Sequence, residues 1–131
     1  MTPFQEHKQK WFHNREFLKT IGDGYSDWMV TVIFYTALHA VEALFCYDNL
    51  EPHTSHTSRN HTLKSYNRYQ KIWENYRPLY DAARSTRYDT DAPTWIPLED
   101  VKNELVKYFY AVEKSVLKLM KDEEEELGHI W

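Results

Sequence analysis

The fold is decided by the sequence MVTVIFYTALHAVEALFCY, which runs from Met29 to Tyr47. Apolar side chains cover this stretch on almost every side. Four polar or ionisable residues interrupt it, namely Thr31, Thr36, His39 and Glu42. A membrane span needs ~20 predominantly apolar residues, and two ionisable groups near its middle would be costly. Because a helix that is apolar all round is typical of the centre of a bundle, we predict a buried central helix and no membrane insertion.

Helical signals continue outward from this centre in both directions. Thr2 followed by Pro3 is a typical N-cap and first helical residue, and apolar residues recur at helical spacing near the C-terminus. These signals predict helices over about 3–21, 26–47, 59–74, 78–88 and 97–120, with a turn-rich segment from Asp89 to Pro97. A chain of 131 residues has room for about one domain. We therefore predict a single all-α domain over residues 1–131, an up-and-down bundle of four to five helices.

The last predicted helix has an apolar stripe and an acidic end. The stripe consists of Val101, Leu105, Tyr108, Val112, Val116 and Leu119. Residues 122–126 are all acidic, and acidic groups at a helix C-terminus oppose the helix dipole. We therefore expect residues 122–131 to fray.

Charge is distributed unevenly along the chain. The formal net charge is −4, yet the segment from Pro52 to Tyr88 contains seven Lys and Arg against two acids, a local charge of +5. A localised basic segment is a better guide to binding partners than the net charge. The single cysteine excludes an internal disulfide, and the first residues have no apolar signal-peptide core. A cytoplasmic location is expected.

The central helix also carries a family resemblance. Its segment from Phe34 to Phe45, FYTALHAVEALF, resembles the second helix of HEPN domains, which commonly contain a His-Ala-x-Glu-Ala-Leu pattern. His61 near the start of a helix and the segment from Leu79 to Asp89, LYDAARSTRYD, resemble later parts of the same family. The resemblance covers roughly residues 11–120.

The resemblance implies a bundle of four or five helices that forms a homodimer. Many HEPN domains are metal-independent RNases of toxin–antitoxin, defence or RNA-processing systems, and others pair with nucleotidyltransferases or bind nucleotides or RNA without cutting. The RNase motif of the family is Arg, four to six residues, then His. In this chain Asp89 stands four residues after Arg84, and no histidine lies within six residues of Arg84 or Arg87. This departure from the family's RNase motif favours binding over cleavage.

Candidate binding residues lie in the basic segment. Tyr80, Arg84 and Arg87 share one helical face at spacings of four and three. The guanidinium groups of Arg84 and Arg87, with the Tyr80 hydroxyl, would bind a phosphate, and Tyr88 would stack on a base. Arg59 and Arg77 complete the candidate RNA- or nucleotide-binding set. The alternative is structural: Arg84 would neutralise Glu42, since a carboxylate on so apolar a helix needs a partner.

The histidines allow further interpretations. His39 precedes Glu42 by three residues, so the two are predicted to form a buried polar pair, or an acid/base pair near Arg84. His61 or His39 would replace the missing motif histidine in space. His53, His56 and His61 form a cluster whose spacing matches no established zinc motif. No metal or cofactor is therefore expected.

Three functions follow from these observations. The first is a HEPN-like module that binds RNA or a nucleotide, beside a nucleotidyltransferase partner or within a toxin–antitoxin or defence system. The second is a divergent metal-independent RNase with catalytic candidates Arg84, Arg87, His61 and His39. The third is a non-catalytic protein-interaction subunit whose arginines form internal salt bridges.

Overall fold

Helix α2, Ser26–Tyr47, lies at the centre of the structure and has the predicted bounds. The computed structural model describes residues 1–22, 24–88, 98–121 and 127–131; at 87, 88 and 98 it describes the backbone and not the side chains. The other elements are α1 Pro3–Leu18, α3 His56–Ser65, a 3-10 turn Asn67–Tyr69, α4 Gln70–Tyr88, α5 Leu98–Asp100, a π-helix Val101–Leu105 and α6 Val106–Leu119. All regular structure in these residues is helical, which confirms the all-α bundle.

Helix α2 is the element around which the others pack. It contacts α1, α4 and α6, and α4 also packs on α6. By length and composition α2 could cross a membrane, but 72% of its most apolar window is buried inside the protein. The buried apolar side chains of all these helices form one core cluster. The apolar surface of α2 is therefore largely covered by neighbouring helices.

The ends of the first two helices follow from local chemistry. Thr2 and Gln5 form a reciprocal capping box, with Gln5 N donating to Thr2 Oγ1 at 3.2 Å and Thr2 N donating to Gln5 Oε1 at 2.9 Å. Helix α2 ends in a Schellman motif, in which Asn49 adopts φ 61° and Leu50 N donates to Phe45 O at 2.9 Å. These caps confirm the predicted start of α1 and end of α2.

The predicted boundary between the third and fourth helices is wrong. Helix α3 begins three residues early because Ser55 caps it, accepting from Ser58 N at 3.1 Å. It ends before Tyr66, whose backbone is extended. Asp48, at the end of α2, fixes this break because it accepts two hydrogen bonds from Arg68, each at 2.8 Å, and one from the Tyr69 hydroxyl. A salt bridge between distant segments is invisible in a local pattern.

Pro78 lies inside α4. The prediction that it begins a separate helix is wrong. The proline ring removes one backbone donor, which costs a helix stability. Helix α4 continues because buried side chains anchor it on both sides of the proline, Ile72 and Tyr76 before it and Leu79 and Ala83 after it. Core packing therefore outweighs the loss of one hydrogen bond.

The predicted apolar stripe of the last helix is correct in part. Val101, Val112 and Val116 are buried, but Leu105 is only partly buried and Tyr108 is 40% exposed. The π-helix has about one extra residue per turn, which shifts the buried positions by one residue. Val106 and Phe109 are therefore buried in place of Leu105 and Tyr108. The predicted turn segment Asp89–Pro97 and the acidic residues 122–126 lie outside the described residues.

A buried ion pair joins the first and last helices. Glu113 accepts from Arg15 Nε at 2.6 Å, from Arg15 Nη2 at 3.0 Å and from Trp11 Nε1 at 2.6 Å. Arg15 Nη2 also donates to Gly128 O at 2.7 Å, which holds the segment 127–131 against α1. Burial raises the pKa of Glu113, and the Arg15 and Trp11 donors oppose that rise. Both oxygens of this carboxylate therefore have partners.

Candidate functional site

Helix α4 presents a flank on which aromatic and cationic side chains alternate. Trp73, Arg77, Tyr80 and Arg84 are spaced by four, three and four residues, so they lie along one side of the helix. Arg77 and Arg84 are exposed, whereas Trp73 and Tyr80 are half-buried between the guanidinium groups and the core. We call these four residues the α4 stripe. Arg87 and Tyr88 were also predicted for this face, but their side chains lie outside the described residues.

The predicted partnership between Arg84 and Glu42 is wrong. Glu42 is 1% exposed, and its Oε1 accepts from Arg59 Nε at 2.6 Å. Arg84 is exposed and forms no ion pair with any acid in the described part of the chain. A carboxylate on α2 thus takes its partner from the neighbouring α3, and the Arg84 side chain faces solvent.

Arg59 is consequently not the exposed binding residue that was predicted. It is 5% exposed, and each of its three nitrogens has a partner. Nε donates to Glu42, Nη1 contacts His56 Nδ1 at 3.2 Å and Nη2 donates to His53 O at 3.2 Å. A guanidinium with all its nitrogens engaged holds α2, α3 and their connecting loop together.

Polar atoms without partners surround this buried pair. Glu42 Oε2, His53 Nδ1 and the Tyr76 hydroxyl are buried and form no hydrogen bond. His53 Nδ1 is 3.7 Å from Glu42 Oε1. Burial raises the pKa of Tyr76, and the nearby Arg59 guanidinium opposes that rise only in part. Buried polar groups without partners are uncommon in folded proteins and often mark a site or an enclosed water.

His56 connects the buried pair to the α4 stripe. Its ring lies 5.7 Å from the Tyr80 ring and 5.6 Å from the Phe34 ring, centroid to centroid. Because Arg59 is always protonated, its contact with Nδ1 requires that nitrogen to accept, so the neutral His56 ring carries its proton on Nε2. Sequence reasoning placed His56 only in a possible metal cluster. Ser55 as an N-cap was the available signal that His56 opens α3 and turns toward the core.

His39 and Glu42 do not form the predicted buried pair. His39 is partly exposed, and its Nδ1 lies 3.0 Å from Nδ1 of His7 on α1. Burial, followed by the charges of His7, Lys10 and Arg59, lowers the pKa of His39 to about 4. The side chains at 39 and 42 therefore serve two separate contacts, one with α1 and one with α3.

The catalytic candidates are not brought together in the described structure. His61 is exposed on α3, on the side opposite the buried Arg59 and Leu63. No hydrogen bond, ion pair or ring contact joins His61, His39 and Arg84. Among the described residues, no group of three His, Cys, Asp or Glu is placed to hold a metal ion.

The basic segment is less positive than its composition suggests. Arg59 is neutralised by Glu42 and Arg68 by Asp48, and both acids lie outside the segment. Arg77 lies 3.8 Å from Asp81 in an exposed pair, which is a weak interaction. The remaining exposed cations with described side chains are Lys64, Lys71 and Arg84. The α4 stripe is therefore the place where exposed guanidinium groups and aromatic rings meet.

No protein-family model, curated protein or solved structure matches this chain.

Proposed function

We propose that this chain binds single-stranded RNA, or a nucleotide, through the α4 stripe. One observation carries the proposal: Trp73, Arg77, Tyr80 and Arg84 alternate aromatic and cationic groups along one flank of a rigid helix. Aromatic rings stack on unpaired bases, and guanidinium groups bind phosphates as planar forks. Single strands suit such a surface because their bases are free to stack.

The exposure of the two arginines supports phosphate binding. The charge of Arg84 is not opposed by any ion pair in the described residues, and Arg77 has only its distant contact with Asp81. Tyr80 is supported from behind by Phe34 and His56, with ring centroids 5.8 and 5.7 Å away. A ring held in this way loses little conformational freedom when a base stacks on it, which lowers the entropic cost of binding.

The decisive experiment compares two double variants of equal charge. Arg77→Gln/Arg84→Gln removes the guanidinium groups from the α4 stripe, and Lys107→Gln/Lys114→Gln removes two exposed cations, also seven residues apart, from α6. Binding of a fluorescent oligouridylate is measured from 50 to 200 mM salt. Loss of two phosphate contacts should reduce the salt slope of log affinity by about 1.4. The α6 variant should retain the original slope.

Two further variants of the same surface should change RNA affinity in opposite directions. Asp81→Asn removes the acid beside Arg77 and should tighten binding, whereas Tyr80→Leu should weaken it about tenfold through loss of stacking. Thermal melting of each variant controls for folding. Equal affinities for all variants, or equal losses in the α4 and α6 pairs, would refute the proposal. AMP competition distinguishes a nucleotide site from an RNA site.

The biological setting is part of the same proposal. The resemblance in α2 implies a HEPN-like homodimer that acts beside a nucleotidyltransferase or in a toxin–antitoxin or defence system, and the sequence of the first residues favours the cytoplasm. Light scattering tests the dimer. The RNA recovered from the binding assay in EDTA should be intact, since the Arg-x4-6-His motif is absent; cleavage that disappears in Arg84→Ala would instead establish the RNase alternative.

A further inference from the structure

A shallow depression between α1 and α2 is lined by three histidines. It measures about 480 Å³ and lies where α1 meets α2. Its lining consists of Glu6, His7, Gln9, Lys10, His13 and His39. Three imidazoles and one ammonium thus face one carboxylate. The volume is ample for a small tetrahedral anion.

The contact between two of these rings fixes which nitrogens remain for a ligand. His7 Nδ1 and His39 Nδ1 are 3.0 Å apart, so one of them donates its proton and the other accepts it. The accepting ring is then necessarily protonated on Nε2. The donating ring has a bare Nε2 when neutral. The uncharged pair therefore offers one Nε2–H donor and one Nε2 lone pair.

One added proton converts this pair into an anion receptor. The proton binds the bare Nε2, so both rings then carry an Nε2–H donor and the pair has a charge of +1. The Nδ1 contact survives this step. A second proton would have to bind the shared Nδ1 and would break the contact between α1 and α2. The geometry thus limits the pair to a single added proton.

The surroundings of His39 disfavour that proton until an anion arrives. Partial burial of the ring disfavours a proton on His39, and so do His7 whenever His7 itself carries the proton, Lys10 from α1 and Arg59 from α3. Glu42 on the same helix is engaged by Arg59 and does not contact His39. Glu6 and His13 complete the titratable groups of the depression. A bound oxyanion would add negative charge to a lining that has one carboxylate, Glu6, against three imidazoles and Lys10.

We propose that the depression between α1 and α2 binds a phosphate-type oxyanion, with Nε2–H of His7 and His39 as donors, Lys10 as counter-charge and uptake of one proton by the histidine pair. This site is separate from the α4 stripe, and the inference does not rest on the proposed function.

Sulfate is the first probe because it does not titrate near neutral pH. Isothermal calorimetry at pH 7 in buffers of different ionisation enthalpy gives the number of protons bound with each sulfate. The pair should take up about one proton per anion, and binding should strengthen from pH 7.5 to 6. The imidazole resonances of His7 and His39 should shift together. Binding without proton uptake, or no shift of these resonances at tens of millimolar sulfate, would overturn the proposal.

Variants of the lining residues should change sulfate binding in different directions. His39→Asn and His7→Asn should abolish the coupled proton uptake, and Lys10→Gln should weaken sulfate binding several-fold. Glu6→Gln should strengthen it, because it removes the opposing carboxylate. His61→Asn is the matched control, since His61 is exposed on the far face of α3. Because Lys10 and Glu6 are exposed, these two variants keep the test valid if a histidine variant unfolds.

The source of the phosphate group is resolved by three ligands. Inorganic phosphate, AMP and a short oligouridylate are titrated against the wild type and against Lys10→Gln. A free-anion site favours phosphate, a nucleotide site favours AMP and a backbone site favours the oligonucleotide. Arg77→Gln/Arg84→Gln should leave sulfate-linked proton uptake unchanged, so failure of this site and failure of the α4 stripe give distinct results.

Discussion

Two buried Arg–Glu pairs among the described residues differ in how completely their carboxylate oxygens are satisfied. In the Arg15–Glu113 pair, both carboxylate oxygens accept hydrogen bonds and Trp11 adds a third donor. In the Arg59–Glu42 pair, one carboxylate oxygen accepts at 2.6 Å and the other has no partner. The two pairs are nearly equally buried.

This difference separates a structural contact from a candidate site. Protein groups saturate the Glu113 carboxylate, and the Arg15–Glu113 pair links α1, α6 and the C-terminal segment. The Arg59–Glu42 pair leaves hydrogen-bonding capacity unused at Glu42 Oε2, beside unpartnered atoms of His53 and Tyr76. Through His56 it also contacts the α4 stripe. Buried polar atoms without protein partners, next to a surface of aromatic and cationic side chains, mark an enclosed water or a site that a ligand reaches.

The largest expected effect is the contrast between Glu113→Gln and Glu42→Gln. Three N–H donors converge on Glu113, so an amide there must turn its own N–H groups toward one of them. We expect a loss of about 3 kcal/mol in the free energy of unfolding. At position 42 the amide oxygen can keep the hydrogen bond from Arg59 Nε while the amide nitrogen takes the place of the unpartnered Oε2, so a loss of about half that size is expected. Urea denaturation measures both, and equal losses would contradict the distinction between the two pairs.

A smaller effect concerns pH, because His39 and Glu113 should respond to acid in opposite directions. The pKa of His39 is lowered to about 4, so the unfolded chain binds protons more readily and stability falls as the pH drops from 6.5 toward 4. The pKa of Glu113 is raised, so its contribution to stability is greatest at low pH and is lost as the pH rises through the folded-state pKa.

Two variants resolve these opposing contributions. His39→Asn should flatten the loss of stability between pH 6.5 and 4 by about 1 kcal/mol, because the partial exposure of the ring screens the full effect. Glu113→Gln should steepen the loss, since it removes the group that gains from acid. Denaturant unfolding at several pH values measures both slopes. An unchanged slope in His39→Asn would show that the His7–His39 contact does not govern the acid response.

The smallest expected effect is that of Tyr76→Phe. Its hydroxyl is buried without a hydrogen bond, so its removal should change the free energy of unfolding by less than about 0.5 kcal/mol, or stabilise the protein. Trp11→Phe is the matched change at the saturated pair, where loss of the indole donor to Glu113 should cost about 1–2 kcal/mol. Thermal melting compares the two. A larger cost at Tyr76 would mean that its hydroxyl has a partner in solution, such as an enclosed water.

Local sequence patterns predicted the parts of the fold that local chemistry determines. The capping box at Thr2, the end of α2 at Asn49 and the burial of α2 depend on residues close in sequence. The break between α3 and α4 does not, because Asp48 fixes it from 20 residues away. The continuation of α4 through Pro78 likewise depends on packing against other helices.

The candidate site was predictable to a smaller extent. Helical spacing was sufficient to place Tyr80 and Arg84 on one exposed face. The sequence could not show which arginine pairs with Glu42. Arg59 and Arg84 both lie on helices that the predicted bundle packs near Glu42, and either could reach it. The pairing of His7 with His39 depends on the register of α1 against α2, which periodicity does not determine. Side-chain partners across helices are set by tertiary packing.

The sequence separation of the two buried pairs has a consequence for the order of folding. Arg59 and Glu42 are 17 residues apart, whereas Arg15 and Glu113 are 98 residues apart. Closing the longer loop costs more chain entropy before any contact offsets it. We therefore expect the α2–α3 hairpin to form in the folding transition state and the junction of α1 with α6 to form later. Substitutions at Glu113 would then act mainly by accelerating unfolding, and substitutions at Glu42 by slowing folding.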